Sequence, residues 1–351
     1  MSKRLLVVAG GTGGHIFPGI AVAEELKARG WQVSWIGTAD RMEAEVVPKH
    51  GIEIDFIQVK GVRGNGIKRL LGAPWMVIKA VRAAMAVIKQ RRPDVILAMG
   101  GYVTGPVGVA AKLCGVPLVI HEQNAIAGMS NRYLAKLANR VLAAFPGAFS
   151  NAEVVGNPVR ASVAAITAKA PAQPLHVLIV GGSLGAEVFN EVLPPVLAEL
   201  NQEVAIAVRH QTGKGHCGKV QSAYQAVAMS NAQVDEFIHD MDAAYAWADL
   251  VICRAGALTV SEIAAAGKMA LFVPYPHAVD DHQTANARFL VEGKAAHLLA
   301  QKDFNREQIM AILRPYISDP AQIGPLATAA KALATINAST RVADVCEELT
   351  V

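Results

Sequence analysis

The chemistry of this chain is concentrated where its apolar runs end. Leu5-Leu6-Val7-Val8-Ala9 gives way to Gly10-Gly11-Thr12-Gly13-Gly14-His15, and Val177-Leu178-Ile179-Val180 gives way to Gly181-Gly182-Ser183-Leu184-Gly185-Ala186. Each reads as a buried strand, a tight turn and a helix start. Glycine turns expose backbone N–H groups and a helix N-terminus carries partial positive charge, so each turn can take a phosphate. His15 adds an imidazole beside the first set of amides, able to accept a proton or to bind phosphate.

Other polar runs also close strands: Gly100-Gly101-Tyr102-Val103-Thr104-Gly105-Pro106, His121-Glu122-Gln123-Asn124, and Arg254-Ala255-Gly256-Ala257-Leu258-Thr259-Val260-Ser261-Glu262. Open α/β sheets bind ligands beyond the carboxyl ends of their strands. Glu262, within the first turns of a helix, can accept hydrogen bonds from both hydroxyls of a ribose, or can act only as a partner of the helix dipole. The proline-bounded run Pro274–Ala287 can read sugar hydroxyls. Its Asp280, Asp281 and His282 are metal-ligand types, but no second ligand set accompanies them and no metal is expected.

The elements that must position these residues alternate. Strands are expected at Leu5–Ala9, Val33–Ile36, Ile54–Val59, Val95–Met99 and Pro117–His121, with helices at Ile20–Arg29, Arg41–His50, Pro74–Arg91 and Pro106–Leu113. The pattern breaks over the Pro- and Ala-rich stretch Val155–Pro174 and restarts with strands at Val177–Val180, Val204–Val208, Val234–Phe237, Leu250–Cys253 and Ala270–Val273. Short apolar strands alternating with helices predict parallel, doubly wound α/β sheets. The helical segment after about Ile323 can cross back onto the first domain, giving one domain of residues 1–159 with 334–351 and another of 160–333.

A chain of 351 residues, 52% hydrophobic, suits two such domains. No apolar stretch reaches the roughly 18 residues that span a bilayer, and the first apolar run enters the glycine turn directly, unlike a signal peptide. The four cysteines, Cys114, Cys217, Cys253 and Cys346, show no CxxC pair and read as reduced, buried thiols. Residues 1–160 hold 20 Lys and Arg against 10 Asp and Glu, and residues 161–351 hold 13 against 19. A basic first half is expected to meet an anionic surface. Nucleic acid is disfavoured because aromatics are only 5% and no basic–aromatic stacking pattern appears. Ile67–Arg82 mixes Lys68, Arg69, Lys79 and Arg82 with Leu70, Leu71, Trp75 and Ile78, and Arg63 lies just before it. It suits an anionic membrane surface, or an amphipathic helix whose apolar face is core.

Taken in order, Gly10–Pro18, Gly100–Pro106, His121–Asn124, Gly156–Arg160, Gly181–Ala186, Arg254–Glu262 and Asp281–Ala287 resemble the MurG family of peptidoglycan N-acetylglucosaminyltransferases, in glycosyltransferase family 28. The resemblance covers essentially the whole chain. It implies a GT-B architecture: two Rossmann-like parallel-sheet domains facing a cleft, the first for acceptor and membrane, the second for donor. It implies inverting, metal-independent transfer of N-acetylglucosamine from UDP to the 4-hydroxyl of undecaprenyl-pyrophosphoryl-N-acetylmuramyl-pentapeptide, without a cofactor, by a peripheral protein at the cytoplasmic face of the inner membrane.

Residue by residue, it implies that His15 is the general base and that Thr12, His15, Tyr102, His121, Glu122 and Asn124 serve the acceptor. Arg160 and Ser183 would meet the donor phosphates, the Ile238 backbone uracil, Ala257, Leu258 and Thr259 the sugar and phosphate, Glu262 the ribose and Gln283 the N-acetylglucosamine hydroxyls. Thr12, Gly13, Gly14 and Asn124 also belong to the donor set.

Three other readings compete. An NAD-dependent oxidoreductase is permitted by Asp40 after the second strand, but Gly10–His15 lacks a clean GxGxxG and the Glu262 and Gln283 loops would go unexplained. A UDP-sugar 2-epimerase needs no lipid acceptor, which leaves the basic apolar patch without a role, and a non-catalytic lipid-surface adaptor leaves the polar clusters without one.

Overall fold

A computed structural model describes residues 2–59, 67–182 and 184–350, with the side chains of residues 67–74 outside that description. The chain divides into two compact units, Met1–Arg160 with Thr335–Val351, and Ala161–Ala334.

The first unit runs β1 (Arg4–Ala9), α1 (Gly13–Ala28), β2 (Gln32–Gly37), α2 (Glu43–Val46), β3 (Glu53–Phe56), α3 (Ile67–Arg91), β4 (Val95–Gly100), α4 (Thr104–Cys114), β5 (Leu118–Glu122), α5 (Met129–Leu134), β6 (Arg140–Ala143) and β7 (Glu153–Val154). Its seven strands lie in the order β3-β2-β1-β4-β5-β6-β7, all pairs parallel. Side chains alternate across a strand, and β1 shows the result. Leu5, Val7 and Ala9 enter one core layer with α1, while Leu6 and Val8 enter the opposite layer with α4 residues Val107, Ala110 and Ala111. A strand buried on both faces must be apolar throughout, which is why the Leu5–Ala9 run is continuous.

The second unit runs α6 (Ala161–Ala164), β8 (Leu175–Val180), α7 (Glu187–Glu203), β9 (Ile206–Gln211), α8 (Cys217–Ala226), β10 (Ala232–Asp235), α9 (Met241–Trp247), β11 (Leu250–Cys253), α10 (Ala257–Ala266), β12 (Met269–Phe272), α11 (His282–Glu292), β13 (Ala296–Leu298), α12 (Arg306–Ser318) and α13 (Ile323–Ala332). Its six parallel strands take the order β10-β9-β8-β11-β12-β13. Both sheets are therefore doubly wound, with the order reversing beside β1 and β4 in one and beside β8 and β11 in the other.

The last helix, α14 (Ala338–Glu348), packs against α1 of the first unit. Val342, Ala343, Val345 and Cys346 join the layer of Val7 and Leu26. Arg29, which caps the C-terminus of α1, bonds Asp344 at 2.7 Å and Glu347 at 3.1 Å across the seam. Cys253 and Cys346 are buried, and burial raises both thiol pKa values, whereas Cys114 and Cys217 are half-buried.

Candidate active site

In each sheet the glycine-rich turns follow the two strands that flank the reversal, the position where open α/β sheets bind ligands. In the first unit β1 ends at Ala9 and α1 starts at Gly13, with Gly11 at φ +100 between them. Thr12 occupies the N-cap position but makes no side-chain cap bond, and the first turn carries no acid. No side chain of α1 itself neutralises this helix end, but the Glu43 carboxylate lies against the preceding turn and opposes an anion there.

Beneath this turn lies Glu43, fully buried. Its Oε2 accepts from the Gly11 N–H at 3.0 Å, and its Oε1 accepts from the Thr38 N–H and hydroxyl at 3.0 and 2.7 Å. A Cβ on Gly10 would stand 2.6 Å from Oε1, and one on Gly37 would stand 2.6 Å from Cγ. Those two glycines make room for the carboxylate, and three donors satisfy its charge.

The turn after β4 packs directly on the first. A Cβ on Gly101 would collide with the Gly10 carbonyl, and one on Gly100 would stand 2.6 Å from Nδ1 of His15. Gly100 and Gly101 sit at φ +116 and +92, where glycine is at ease and L side chains are strained.

His15 is half-buried in the first turn of α1, and its Nδ1 lies 2.9 Å from Oε1 of Gln123. Gln123 in turn bonds His121 Nδ1 at 3.1 Å, and His121 Nε2 meets the Gly156 carbonyl at 2.9 Å. His121 is completely buried, and burial lowers its pKa from 6.5 to about 4, against opposing contributions from the Gly156 carbonyl and Glu122. Glu122 is buried too: Oε1 accepts from the Asn124 N–H and side chain, and Oε2 from the Gly128 N–H and Asn131. His121 and Glu122, both expected to serve the acceptor, are thus buried behind the surface of the site and hold the loop that carries Gln123 and Asn124. Asn124 is half-buried on the same loop, while Thr12 and Tyr102 are exposed, Tyr102 at 63%. Arg160 is half-buried at the end of the first unit, just after the turn at Gly156.

In the second unit, Gln211 at the end of β9 holds the glycine turn after β8. Its Oε1 accepts from the Gly182 N–H at 3.1 Å, and its Nε2 donates to the Gly182 carbonyl at 2.9 Å and the Glu236 carbonyl at 3.0 Å. Ser183 lies outside the described residues. The helix after this turn, α7, carries Glu187 in its first turn, which opposes an anion there. The start of α10 has no such acid and no side-chain cap on its Gly256 N-cap, so Ala257, Leu258 and Thr259 begin a helix whose first turn carries no opposing charge.

Glu262, one turn further along α10, is 6% exposed and accepts from the Tyr245 hydroxyl at 3.1 Å. Ile238 is buried in the loop after β10, close in sequence to the Glu236 that Gln211 grips. After β12, Gln283 accepts from the Tyr275 N–H through Oε1 at 2.8 Å. A backbone N–H can only donate, so that contact assigns the amide and leaves its NH2 with donor capacity for a sugar hydroxyl. Asp280 and Asp281, in the same loop, both take positive φ, +53 and +50. Arg254 is a brace: it donates to the Val273 and Pro274 carbonyls and to Gln301, between the rings of Phe189 and Tyr275, and burial lowers its pKa.

The structure thus gathers Thr12, Gly13, Gly14, His15, Tyr102 and Asn124 around the turns of one sheet, and Ala257–Thr259, Glu262, Ile238 and Gln283 around those of the other. Three further residues organise these turns. Gln123 stood within a noted polar run, but its role depends on contacts over more than 100 residues. Glu43 and Gln211 carried no local signal beyond the glycines they press against. No group of three His, Cys, Asp or Glu able to hold a metal occurs among the described residues.

On α3, Trp75 is 72% exposed, with Val77 and Ile78 also exposed. The preceding basic and apolar residues, Arg63 through Leu71, lie outside the described side chains. No helix among the described residues is long and apolar enough to cross a membrane.

Comparison with known proteins adds a separate line of observation. The glycosyltransferase family 28 N-terminal domain matches residues 5–143, and the family's C-terminal domain matches residues 176–348. The chain is 63% identical, over 100% of its own length and 99% of the relative's, to a Pseudoalteromonas translucida protein named UDP-N-acetylglucosamine–N-acetylmuramyl-(pentapeptide) pyrophosphoryl-undecaprenol N-acetylglucosamine transferase. A crystal structure of Acinetobacter baumannii MurG superposes with a TM-score of 0.83 at 42% identity, covering 99% of both chains. A UDP-GlcNAc 2-epimerase from Neisseria meningitidis reaches 0.69 at 13% identity, with 99% and 100% covered, a likeness of fold alone.

Proposed function

The chain belongs to glycosyltransferase family 28, and we propose that it transfers N-acetylglucosamine from UDP-N-acetylglucosamine to the 4-hydroxyl of undecaprenyl-pyrophosphoryl-N-acetylmuramyl-pentapeptide, converting lipid I to lipid II in peptidoglycan synthesis. The observation that carries this reading is likeness along the entire chain, both sheets included, to transferases of this one activity. The two-sheet GT-B architecture fits it, because the donor and the acceptor each need a phosphate-binding turn.

In this reading the second unit takes the donor. Ala257, Leu258 and Thr259 offer the open start of α10 to the pyrophosphate, with Ser183 adding a hydroxyl, and Arg160, in the first unit, is kept as a donor-phosphate residue on the family resemblance alone. Glu262 accepts from the ribose hydroxyls, the Ile238 backbone reads uracil, and Gln283 donates to the sugar. The first unit takes the acceptor at Thr12, His15, Tyr102 and Asn124, with His121 and Glu122 behind them, while Thr12, Gly13, Gly14 and Asn124 also serve the donor. His15 removes the proton of the attacking hydroxyl, and the donor-site amides stabilise charge on departing UDP. Attack from the face opposite UDP inverts the anomeric centre.

Trp75, Val77 and Ile78, exposed on a helix rich in basic residues, support peripheral attachment to an anionic membrane, at the cytoplasmic face of the inner membrane where a UDP-sugar donor is supplied. The decisive experiment is transfer of radiolabel from UDP-N-acetylglucosamine to a lipid-linked muramyl acceptor, with chelator present. Labelled lipid carrying one added β-linked sugar is the expected product. An epimerised UDP-sugar formed without acceptor, and no labelled lipid, would overturn the reading.

A further inference from the structure

We propose that the Gly156 carbonyl decides which nitrogen of His15 is free to act as base, working through His121 and Gln123 as positioning residues. The proposal rests on the reading of His15 as the base, and it deepens that reading.

The assignment follows link by link from what each atom can do. A carbonyl oxygen only accepts, so the His121 Nε2 lying 2.9 Å from the Gly156 carbonyl carries the proton. His121 is completely buried, with Glu122 and His15 the titratable groups acting on it; the Glu122 carboxylate is taken up by the Asn124, Gly128 and Asn131 donors, and burial keeps the ring neutral. A neutral imidazole has one N–H, so Nδ1 of His121 presents a lone pair. Gln123 Nε2 lies 3.1 Å from that Nδ1 and 3.2 Å from the His121 carbonyl, and it donates to both. Turning the amide over would set its oxygen against two acceptors. The orientation is therefore fixed, and Oε1 is the atom that faces His15 Nδ1 at 2.9 Å. An amide oxygen only accepts, so His15 carries its proton on Nδ1 and its lone pair on Nε2.

Gly100 completes the arrangement. A side chain there would occupy the place of the His15 ring, whose Nδ1 lies 2.6 Å from where its Cβ would stand. The ring is thus held at one edge by Gln123 and at its face by a residue without a side chain.

During transfer the hydroxyl O–H bond breaks and its proton passes to Nε2. The oxygen forms the bond to the anomeric carbon, and the bond from that carbon to UDP breaks with its electron pair leaving on UDP. The imidazolium so formed keeps its Nδ1–H bond to Gln123, which strengthens as the ring becomes charged. An imidazole in water carries its proton mainly on Nε2, so without the relay the basic lone pair would face Gln123 and not the substrate.

The test is long-range proton–nitrogen NMR on the full-length protein labelled with 15N-histidine, at mildly alkaline pH, with His15 signals identified by their loss in His15→Ala. The expected spectrum shows His15 protonated at Nδ1 and unprotonated at Nε2. Gln123→Met should shift His15 toward the Nε2–H form and lower kcat on the order of 10–100-fold, with KM nearly unchanged. Gln123→Glu keeps an acceptor at His15 Nδ1 and so should keep the Nδ1–H tautomer of His15, but its second oxygen meets the His121 acceptors, so His121 should take up a proton at Nδ1. Wild-type His15 protonated at Nε2, or a Gln123→Met spectrum identical to wild type, would overturn the relay. If Gln123→Met does not fold, the wild-type spectrum decides alone. An undiminished kcat in His15→Ala would instead remove His15 as base and leave its tautomer assignment standing, so the two failures are distinguishable.

Discussion

Gln211 grips Gly182 at both ends of its peptide backbone, accepting from the N–H at 3.1 Å and donating to the carbonyl at 2.9 Å. The same amide nitrogen reaches the Glu236 carbonyl, so one side chain ties the glycine turn to the loop that carries Ile238. Gln211→Leu removes all three bonds at once and leaves backbone groups to find water, at about 0.5–1.5 kcal/mol each. Titration calorimetry should show UDP affinity falling about tenfold, with the circular dichroism spectrum retained. Unaltered affinity would mean the turn is held by its other contacts.

Gly100→Ala should strike the first unit alone. It places a Cβ 2.6 Å from His15 Nδ1 and strains a φ of +116, at roughly 1–3 kcal/mol. Displacing the base should lower kcat on the order of 100-fold. UDP binding, measured separately by calorimetry, should be unchanged, and a parallel loss of UDP affinity would contradict this account.

The ribose role of Glu262 can be isolated by a double-mutant cycle. Hydrogen bonds to a charged group contribute about 1.5–3 kcal/mol, so Glu262→Ala should weaken UDP binding on the order of 10–100-fold. A 2′,3′-dideoxy analogue of UDP should bind the wild type more weakly, yet bind Glu262→Ala no more weakly than UDP does. Full additivity of the two changes would separate Glu262 from the ribose.

Acid should destabilise both units through buried histidines. His121 in the first has its pKa lowered from 6.5 to about 4, and His210 in the second from 6.5 to about 3, in each case by burial. Unfolded, each takes up a proton as pH falls through 6.5, but folded it does not, so the unfolded state gains. The stability these neutral rings carry is whole above pH 6.5 and is lost progressively toward their folded values, by a few kcal/mol. Urea midpoints at neutral pH and near pH 5 should differ, and His210→Phe should narrow the gap. An equal gap in that variant would exclude His210 as a source.

Membrane attachment predicts that vesicles rich in anionic lipid pellet the protein, with each basic residue near the surface contributing about 1 kcal/mol. Trp75→Glu combined with Lys68→Glu should reduce the pelleted fraction several-fold, and added salt should do the same. Pelleting that survives both would place the contact elsewhere.

Much of the architecture was legible because buried parallel strands are continuous apolar runs. The apolar run Leu250–Cys253 coincides with β11, and the runs at β1 and β8 match those strands to within one or two residues. The strands that were not foreseen, β6, β7 and β13, are short, from two to four residues, and lie at or next to a sheet edge, where one-sided burial leaves little pattern. Helix α1 starts at Gly13, well before the expected Ile20, since glycines and Pro18 disguise its first turns. The candidate loops were legible because glycine and polar residues interrupt apolar runs at strand ends. What lay behind them was not. Glu43 meets Gly11 across 32 residues, Gln211 meets Gly182 across 29, and His15 meets Gln123 across 108. Such contacts follow from the winding of the sheet and leave no local spacing to read.

The placement of α14 has a consequence for biosynthesis. Its buried residues Val342, Ala343, Val345 and Cys346 wall the core of the first unit, yet the ribosome makes them after every strand of the second. The second unit is contiguous, so all of its residues are made before α14. The first keeps the apolar face of α1 uncovered until α14 is made, so the unit begun first completes its core last.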